Sequence, residues 1–161
     1  MNEDISDNRG WPYGMLDPSA PVRFEIDGVE CASLDGFVES LKFSTVKEQK
    51  NITKRVGNDA KKNSAIKDFF PHNKTADRML HWQGESFKRN SKTFDKLIAR
   101  AFREMAKNPR YQAALLLTQD VTFTHSKGKA NKKDTVLTKK ELIDNLTELR
   151  AELKLEFKQG F

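Results

Sequence analysis

The sequence predicts a mainly α domain with a small β component, an α+β class, folded as one compact unit. Three observations carry this. Apolar residues recur at helical spacing through most of the interior of the chain. Alternating apolar and polar runs are confined to stretches of four or five residues. Punctuation by Gly, Pro and Asn-Pro falls between these runs. At 161 residues the chain suits one domain and is long enough to bury a real core.

Taken in order, residues 1–20 read as an irregular N-terminal arm, with turn-forming Gly10, Pro12, Gly14 and Pro18, and 21–157 as the domain proper. Arg23-Phe-Glu-Ile26 alternates, Asp27-Gly28 follows, and Val29-Glu-Cys-Ala32 alternates again. Both turn residues tolerate the positive φ of a type I′ turn, so this is a hairpin. Ser33 offers an N-cap hydroxyl, and Leu34, Phe37, Val38 and Leu41 fall on one helical face. A second helix is expected over Val46 to Val56, with Gly57 as its C′ residue. A third is expected over Ala60 to Phe70, stopped by Pro71. His81-Trp82-Gln-Gly84 reads as a loop or a helix start.

The clearest helix runs from Ser91 to about Lys107, with Phe94, Leu97, Ile98, Ala101, Phe102 and Met105 in one stripe. Asn108-Pro109 ends it. Tyr111 to Leu117 reads as a short helix buried along most of its length. Val121 to His125 alternates and is rich in β-branched residues, so it reads as a strand. Ser126 to Asp134 is a polar, basic loop. Thr138-Lys-Lys-Glu141 is a capping box that opens a last helix. Leu142, Leu146, Leu149 and Leu153 share a face of that helix, a stripe short enough to favour core packing over a coiled coil.

Charged residues make up 32% of the chain and the mean hydropathy is −0.74. No apolar run approaches the roughly 20 residues of a membrane span. The acidic opening MNEDISDNRGWPYG has no apolar signal core, and a lone Cys31 fits a reducing compartment, so a cytoplasmic location is expected. The net charge is +6, with bases concentrated from Lys42 to Arg110 and again in Lys127, Lys129, Lys132 and Lys133. That balance permits a polyanionic partner without demanding one.

His72, His81, His125 and Cys31 show no zinc-like spacing, so no metal is expected. P-loop, GxGxxG and Gly-x-Ser-x-Gly patterns are absent, and no cofactor is implied. Three local groups could carry chemistry. Asp35 and Glu39 are four apart, on one helix face; the plainer reading is a solvated pair, with Asp35 favoured by the helix dipole. Gly57-Asn-Asp-Ala-Lys-Lys62 offers close backbone approach and two ammonium groups, and its plainer reading is a helix end. His125-Ser-Lys-Gly-Lys129 could bind phosphate through backbone N–H and ammonium groups; the plainer reading is a hydrogen-bonded structural histidine. Trp82 either stacks on a base or packs in the core.

The order of short motifs resembles the NADAR superfamily, which includes the YbiA-like proteins. The pieces are Trp11-Pro-Tyr-Gly-Met-Leu16, Ile26-Asp-Gly28, Ser33 to Phe43 with its Lys-Phe ending, and Gly57-x-x-Ala-Lys61. They continue with His81-Trp82-Gln-Gly84 ahead of Arg89, Asn108-Pro109 before Ala-Leu-Leu-Leu-Thr118, His125-Ser-x-Gly128, and Leu-Thr-x-x-Glu-Leu at Leu137 to Leu142. The chain departs from the YbiA-like pattern in two ways. Where many members open the helix after the hairpin with Glu-His, it has Asp35-Gly36. It also carries His-Ser-x-Gly in place of the C-terminal Asp-x-x-Trp-Gly and Gly-x-Asn-x-Leu-Gly segments, as a separate branch would.

The resemblance implies a compact, mainly α fold and N-glycosidase chemistry on ADP-ribosylated nucleic acid or a nucleotide-like ligand. It implies that Asp35 stabilises charge at C1′ of the ribose, with Glu39 behind it on the same face. Lys61 and His125, and less directly Arg89, would assist the leaving base or hold phosphate. Trp82 would stack on the base, Gly57 and Gly128 would let the backbone approach, and Lys127 and Lys129 would take the pyrophosphate. Three readings stay open at this point: removal of ADP-ribose from guanine in nucleic acid, the same chemistry on a small metabolite such as a riboflavin intermediate, and binding without turnover.

Overall fold

The computed structural model describes residues 1–63 and 79–159. Within them lie six α-helices and six short strands paired into three two-stranded sheets. The architecture is the mainly α, α+β class that the periodicities predict.

The first hairpin joins β2 (Phe24–Ile26) to β3 (Val29–Cys31), antiparallel, with Ile26 opposite Val29. Asp27 and Gly28 adopt φ of 50° and 79°, the two positive values of a type I′ turn. Phe24, Ile26, Val29 and Cys31 all face the core. Burial pushes the Cys31 thiol up to about 12, so it is an inert packing group.

Helix α1 (Leu34–Ser40) begins at Ser33, whose Oγ accepts from the Gly36 N–H at 3.0 Å. It packs on α2 (Val46–Thr53) and α3 (Gly57–Asn63). Gly57 is not the C′ residue of α2. That helix ends at Thr53, because the Arg55 carbonyl turns away to accept the Ser33 Oγ–H at 3.0 Å. Gly57, at φ 51°, opens α3 instead. Of the helix expected over Ala60 to Phe70, the part to Asn63 falls in α3 and the remainder, with Pro71, lies outside the described residues, as does His72.

The stretch read as a loop or helix start is the strand β4 (Met79–Trp82), paired antiparallel with β5 (Glu85–Lys88). Gln83 and Gly84, at φ 52° and 82°, repeat the turn of the first hairpin. Helix α4 (Lys92–Met105) buries its whole apolar stripe. At roughly 1.5–3 kcal/mol per large apolar side chain, that stripe dominates the helix's own stability. Helix α5 (Pro109–Leu117) follows an Asn108 cap. It buries one face, Tyr111, Ala114 and Leu115, while Leu117 is exposed, so it is less enclosed than its composition suggests. The last helix, α6 (Lys139–Gln159), places Leu142, Leu146, Leu149 and Leu153 in the common core. No helix among the described residues is long and apolar enough to cross a membrane.

The first 20 residues are not an irregular arm. Asn2–Asp4 form β1, which pairs in parallel with β6 (Thr122–Thr124), Glu3 opposite Phe123. Tyr13–Leu16 form a 3-10 helix, and Ile5 and Leu16 are core residues. The strand is missed because Asn2-Glu3-Asp4 has no apolar alternation; pairing with a distant partner creates it.

Gly36 explains how closely α1 approaches α2. A Cβ at this position would lie 2.5 Å from the Arg55 carbonyl oxygen and 3.2 Å from that of Ile52. Both are backbone atoms, which cannot swing aside. Gly36→Ala is therefore expected to destabilise the protein by about 1–3 kcal/mol. A lower urea midpoint at unchanged m-value checks it; an unchanged midpoint contradicts the packing described.

Candidate functional site

Capped by Ser33, α1 presents Asp35, Val38, Glu39 and, just past its end, Lys42 to a cleft of about 420 Å³. The spacing of three and four residues puts these side chains on one face. Asp35 and Glu39 are 9% and 8% exposed, so neither is a solvated charge. Glu39 is ion-paired with Lys42, and both are nearly enclosed. Asp35 has a looser partner: the Lys61 ammonium stands 3.9 Å away and is itself 57% exposed. Loss of water pushes the Asp35 carboxyl up to about 6. Lys61 pulls against that rise, while Glu39, Asp17 and Asp7 add to it.

Lys61 reaches the cleft from α3, which also supplies Asn58. The positive φ of Gly57 sets the entry of that helix, and a Cβ there would stand 3.3 Å from that of Ser19. Asp17 and Ser19 close the same side. The Asp17 carboxylate accepts from the Ser19 N–H and Oγ–H at 2.8 and 2.7 Å, and the Asp35 N–H donates to the Pro18 carbonyl at 3.0 Å.

The opposite wall is the loop after β6. Asp4, at the end of β1, accepts from the Thr124 hydroxyl and from the Ser126 N–H at 2.8 Å each, and from the Ser126 hydroxyl at 2.7 Å. These bonds hold its carboxyl below the ordinary aspartate range. The clasp places His125 Nδ1 2.8 Å from the Ile5 carbonyl. A carbonyl only accepts, so Nδ1 carries the proton. Nε2 is then an acceptor on the neutral ring and a donor on the cation. Gly128 lies against the ring: a Cβ there would collide with His125 Cδ2 and with Lys139 Cβ. All three fixed residues of His-Ser-x-Gly thus have a structural reason. Lys127 and Lys129 complete the wall, Lys127 reaching across to Asp7 at 2.5 Å.

Seven of the residues singled out from the sequence line this one cleft: Asp35, Glu39, Lys61, His125, Lys127, Gly128 and Lys129. Gly57 adjoins it through Asn58. Trp82 and Arg89 do not line it. Trp82 is 5% exposed, edge-on to Phe37 at 4.9 Å, and donates its indole N–H to Asp27 at 2.8 Å. Arg89 is 1% exposed, lies over the Phe94 ring at 4.0 Å, and pairs with Glu141, the carboxylate of the α6 capping box. Both belong to the core. Asp7, Asp17 and Asp134 line the cleft without having been singled out. The first two lie in the segment read as an arm, and only the Asp-Pro-Ser turn signal at 17–19 could have flagged one of them.

The cleft is not a plain anion cradle. Five carboxylates, Asp7, Asp17, Asp35, Glu39 and Asp134, face four lysines, Lys42, Lys61, Lys127 and Lys129, and one imidazole. That mixture suits a ligand with a cationic as well as an anionic part. The volume falls in the range of small-molecule sites, about 300–1,000 Å³.

Comparison with known proteins places the chain in a family. The family model described as Bacteriophage protein GP30.3 matches residues 10–151. An uncharacterized 17.1 kDa protein of Enterobacteria phage T4, from the Gp30-rIII intergenic region, is 31% identical over 153 residues, covering 93% of this chain and 97% of that protein. The NMR structure of the E. coli protein YbiA superposes with a TM-score of 0.65 at 17% identity, over 96% of this chain and 86% of that one. That likeness is one of fold. The chain therefore belongs to the bacteriophage GP30.3 family, a NADAR-like family, and carries the YbiA-like fold.

Proposed function

We propose that the protein is an N-glycosidase that removes ADP-ribose from modified guanine in nucleic acid, reversing a toxin's modification. The observation that carries the reading is the buried Asp35 carboxyl, opposed by Lys61 and His125 across one cleft of nucleotide scale. Family membership and the basic net charge support it.

The chemistry follows from charge. Breaking the bond between C1′ and the base nitrogen builds positive charge on the ribose and negative charge on the base. An ionised Asp35 stabilises the first and accepts a proton from the attacking water, as carboxylates do in glycosidases. Water oxygen bonds to C1′ as the C1′–N bond breaks. The leaving nitrogen takes a proton from His125 Nε2 or from the Lys61 ammonium. Glu39, paired with Lys42, keeps negative potential behind Asp35. Lys127 and Lys129 hold the pyrophosphate, for which Lys127 exchanges its exposed contact with Asp7. The histidine that many relatives carry next to the catalytic acid is absent, since position 36 admits no side chain. His125 brings an imidazole from the other wall.

The test is to incubate the protein with an oligonucleotide ADP-ribosylated on guanine and follow its mass. Loss of the ADP-ribose mass with guanine intact is the expected result. ADP-ribose binding without turnover would make the protein a reader. Turnover confined to small N-glycosides, with affinity insensitive to salt, would make it a metabolite enzyme.

Two predictions concern Asp35. Activity needs its ionised form, so kcat/KM should rise with pH through about 6. Lys61→Met removes the opposing charge and should move the midpoint upward; a pH–rate profile of both proteins checks this. The second concerns stability. The folded-state pKa lies above the unfolded value of about 4, so the stability present below pH 4 is lost as pH rises through about 6. At pH 7 the buried charge therefore costs folding up to about 3 kcal/mol. Asp35→Asn should raise the melting temperature at pH 7 and change it little at pH 4, while abolishing turnover. A variant that melts lower at pH 7 would contradict the desolvation described.

A further inference from the structure

A second cavity of about 350 Å³ shares His125 with the cleft. Phe123 and Ile143 give it an apolar floor, Thr124 and Ser126 lie along one side, and Lys139 and Lys140, in the first turn of α6, form its rim. Its lining differs from that of the cleft in one decisive respect. Among the described residues it is lined by no carboxylate, whereas the cleft is lined by five.

We propose that this groove binds the nucleotide that flanks the modified one in a nucleic-acid strand, its base over Phe123 and Ile143 and its phosphate at Lys139 and Lys140. The inference rests on the reading of the main cleft as the ADP-ribosyl-guanine site. A flanking nucleotide needs an apolar face for its base and a cation for its phosphodiester, and it must begin where the modified nucleotide ends. The groove meets all three needs, because His125 is a wall of both cavities. Lys140 is held by Asp144 at 2.5 Å, but that pair is 82% and 59% exposed, so a phosphate can take the place of the carboxylate at little cost. The Thr124 and Ser126 hydroxyls are already engaged by Asp4, so the groove offers no base-edge code from them. Its recognition is of a strand, not of a sequence.

The consequence is a preference for oligonucleotide over nucleoside. The probes are a five-residue oligodeoxynucleotide ADP-ribosylated on a central guanine, and ADP-ribosylated deoxyguanosine alone. The native protein should show at least tenfold higher kcat/KM on the oligonucleotide at low salt. The double substitution Lys139→Gln with Lys140→Gln should bring that ratio to within about twofold of unity. It should also reduce the salt slope of oligonucleotide binding by about one. Ile143→Glu, which puts a carboxylate on the floor, should lower the ratio in the same way through charge and shape. An unchanged ratio in folded variants, confirmed by circular dichroism, overturns the flanking-nucleotide site and leaves the reading of the cleft standing. Failure to cleave either probe overturns both.

Discussion

Asp35 is a carboxylate taken out of water with one loose counter-charge among the described residues, and the packing of α1 around it bears on that. A buried acid ordinarily finds a tight cation or protonates. Here the nearest ammonium among the described residues stands 3.9 Å off on an exposed side chain, while Glu39 is paired with Lys42. What holds Asp35 in place is the packing of its helix: the Ser33 hydroxyl cap ahead of it, its own N–H on the Pro18 carbonyl, and Gly36 pressed against the Ile52 and Arg55 carbonyls. The first turn of α1 also meets the carboxylate with its positive dipole end. The helix is thus pinned from three directions by groups that do not neutralise the charge. Such an arrangement gives up stability at neutral pH in return for a carboxyl able to change its protonation state there.

The same logic separates what was readable in the sequence from what was not. Helices α1, α4 and α6 and the Asp27-Gly28 hairpin were legible because their signals are local: a cap, a stripe, two residues that accept positive φ. The second hairpin was not, although its turn is the same, because Gln83 is no turn signal and its strands are four residues long. Strand β1 has no pattern at all, and exists because β6 is there to pair with. Of the site, the α1 acids, Lys61 and the His-Ser-x-Gly loop were legible as local motifs. Asp7 and Asp17 were not, since only the tertiary fold turns the N-terminal segment toward α1.

Trp82 and Arg89 teach a different lesson. Each combines a residue type rich in binding roles with a motif position, and each is consumed by the fold. Asp27 explains Trp82. Its carboxylate sits in the first hairpin turn and accepts both the indole N–H and two N–H groups of Arg100, at 2.9 and 3.0 Å. A residue chosen for a turn thereby ties the two hairpins to α4. Glu141 explains Arg89 in the same manner, serving at once as the capping-box acid of α6 and the counter-charge of a buried guanidinium. Neither double use can be seen from sequence spacing, because the partners are more than 50 residues apart.

The two walls of the cleft are built from opposite ends of the chain, and this has a mechanistic consequence. Asp35 belongs to a helix held by backbone packing. His125 belongs to a loop held by the N-terminal segment: Asp4 through three hydrogen bonds, the Ile5 carbonyl, and Asp7 through Lys127. Asp35 is therefore on the side of the cleft that backbone packing holds. His125 is on the side that the N-terminal strand clasps through side chains. Because Asp4 fixes Ser126 rather than the ring itself, the histidine keeps one nitrogen committed to structure and one available for chemistry. Gly128, close against that ring, confines its swing, and its N–H donates to the His125 carbonyl at 3.0 Å. The division of labour between a pinned acid and a tethered imidazole explains why the acid position and the His-Ser-x-Gly loop can be joined in one cleft although no local feature of the sequence connects them.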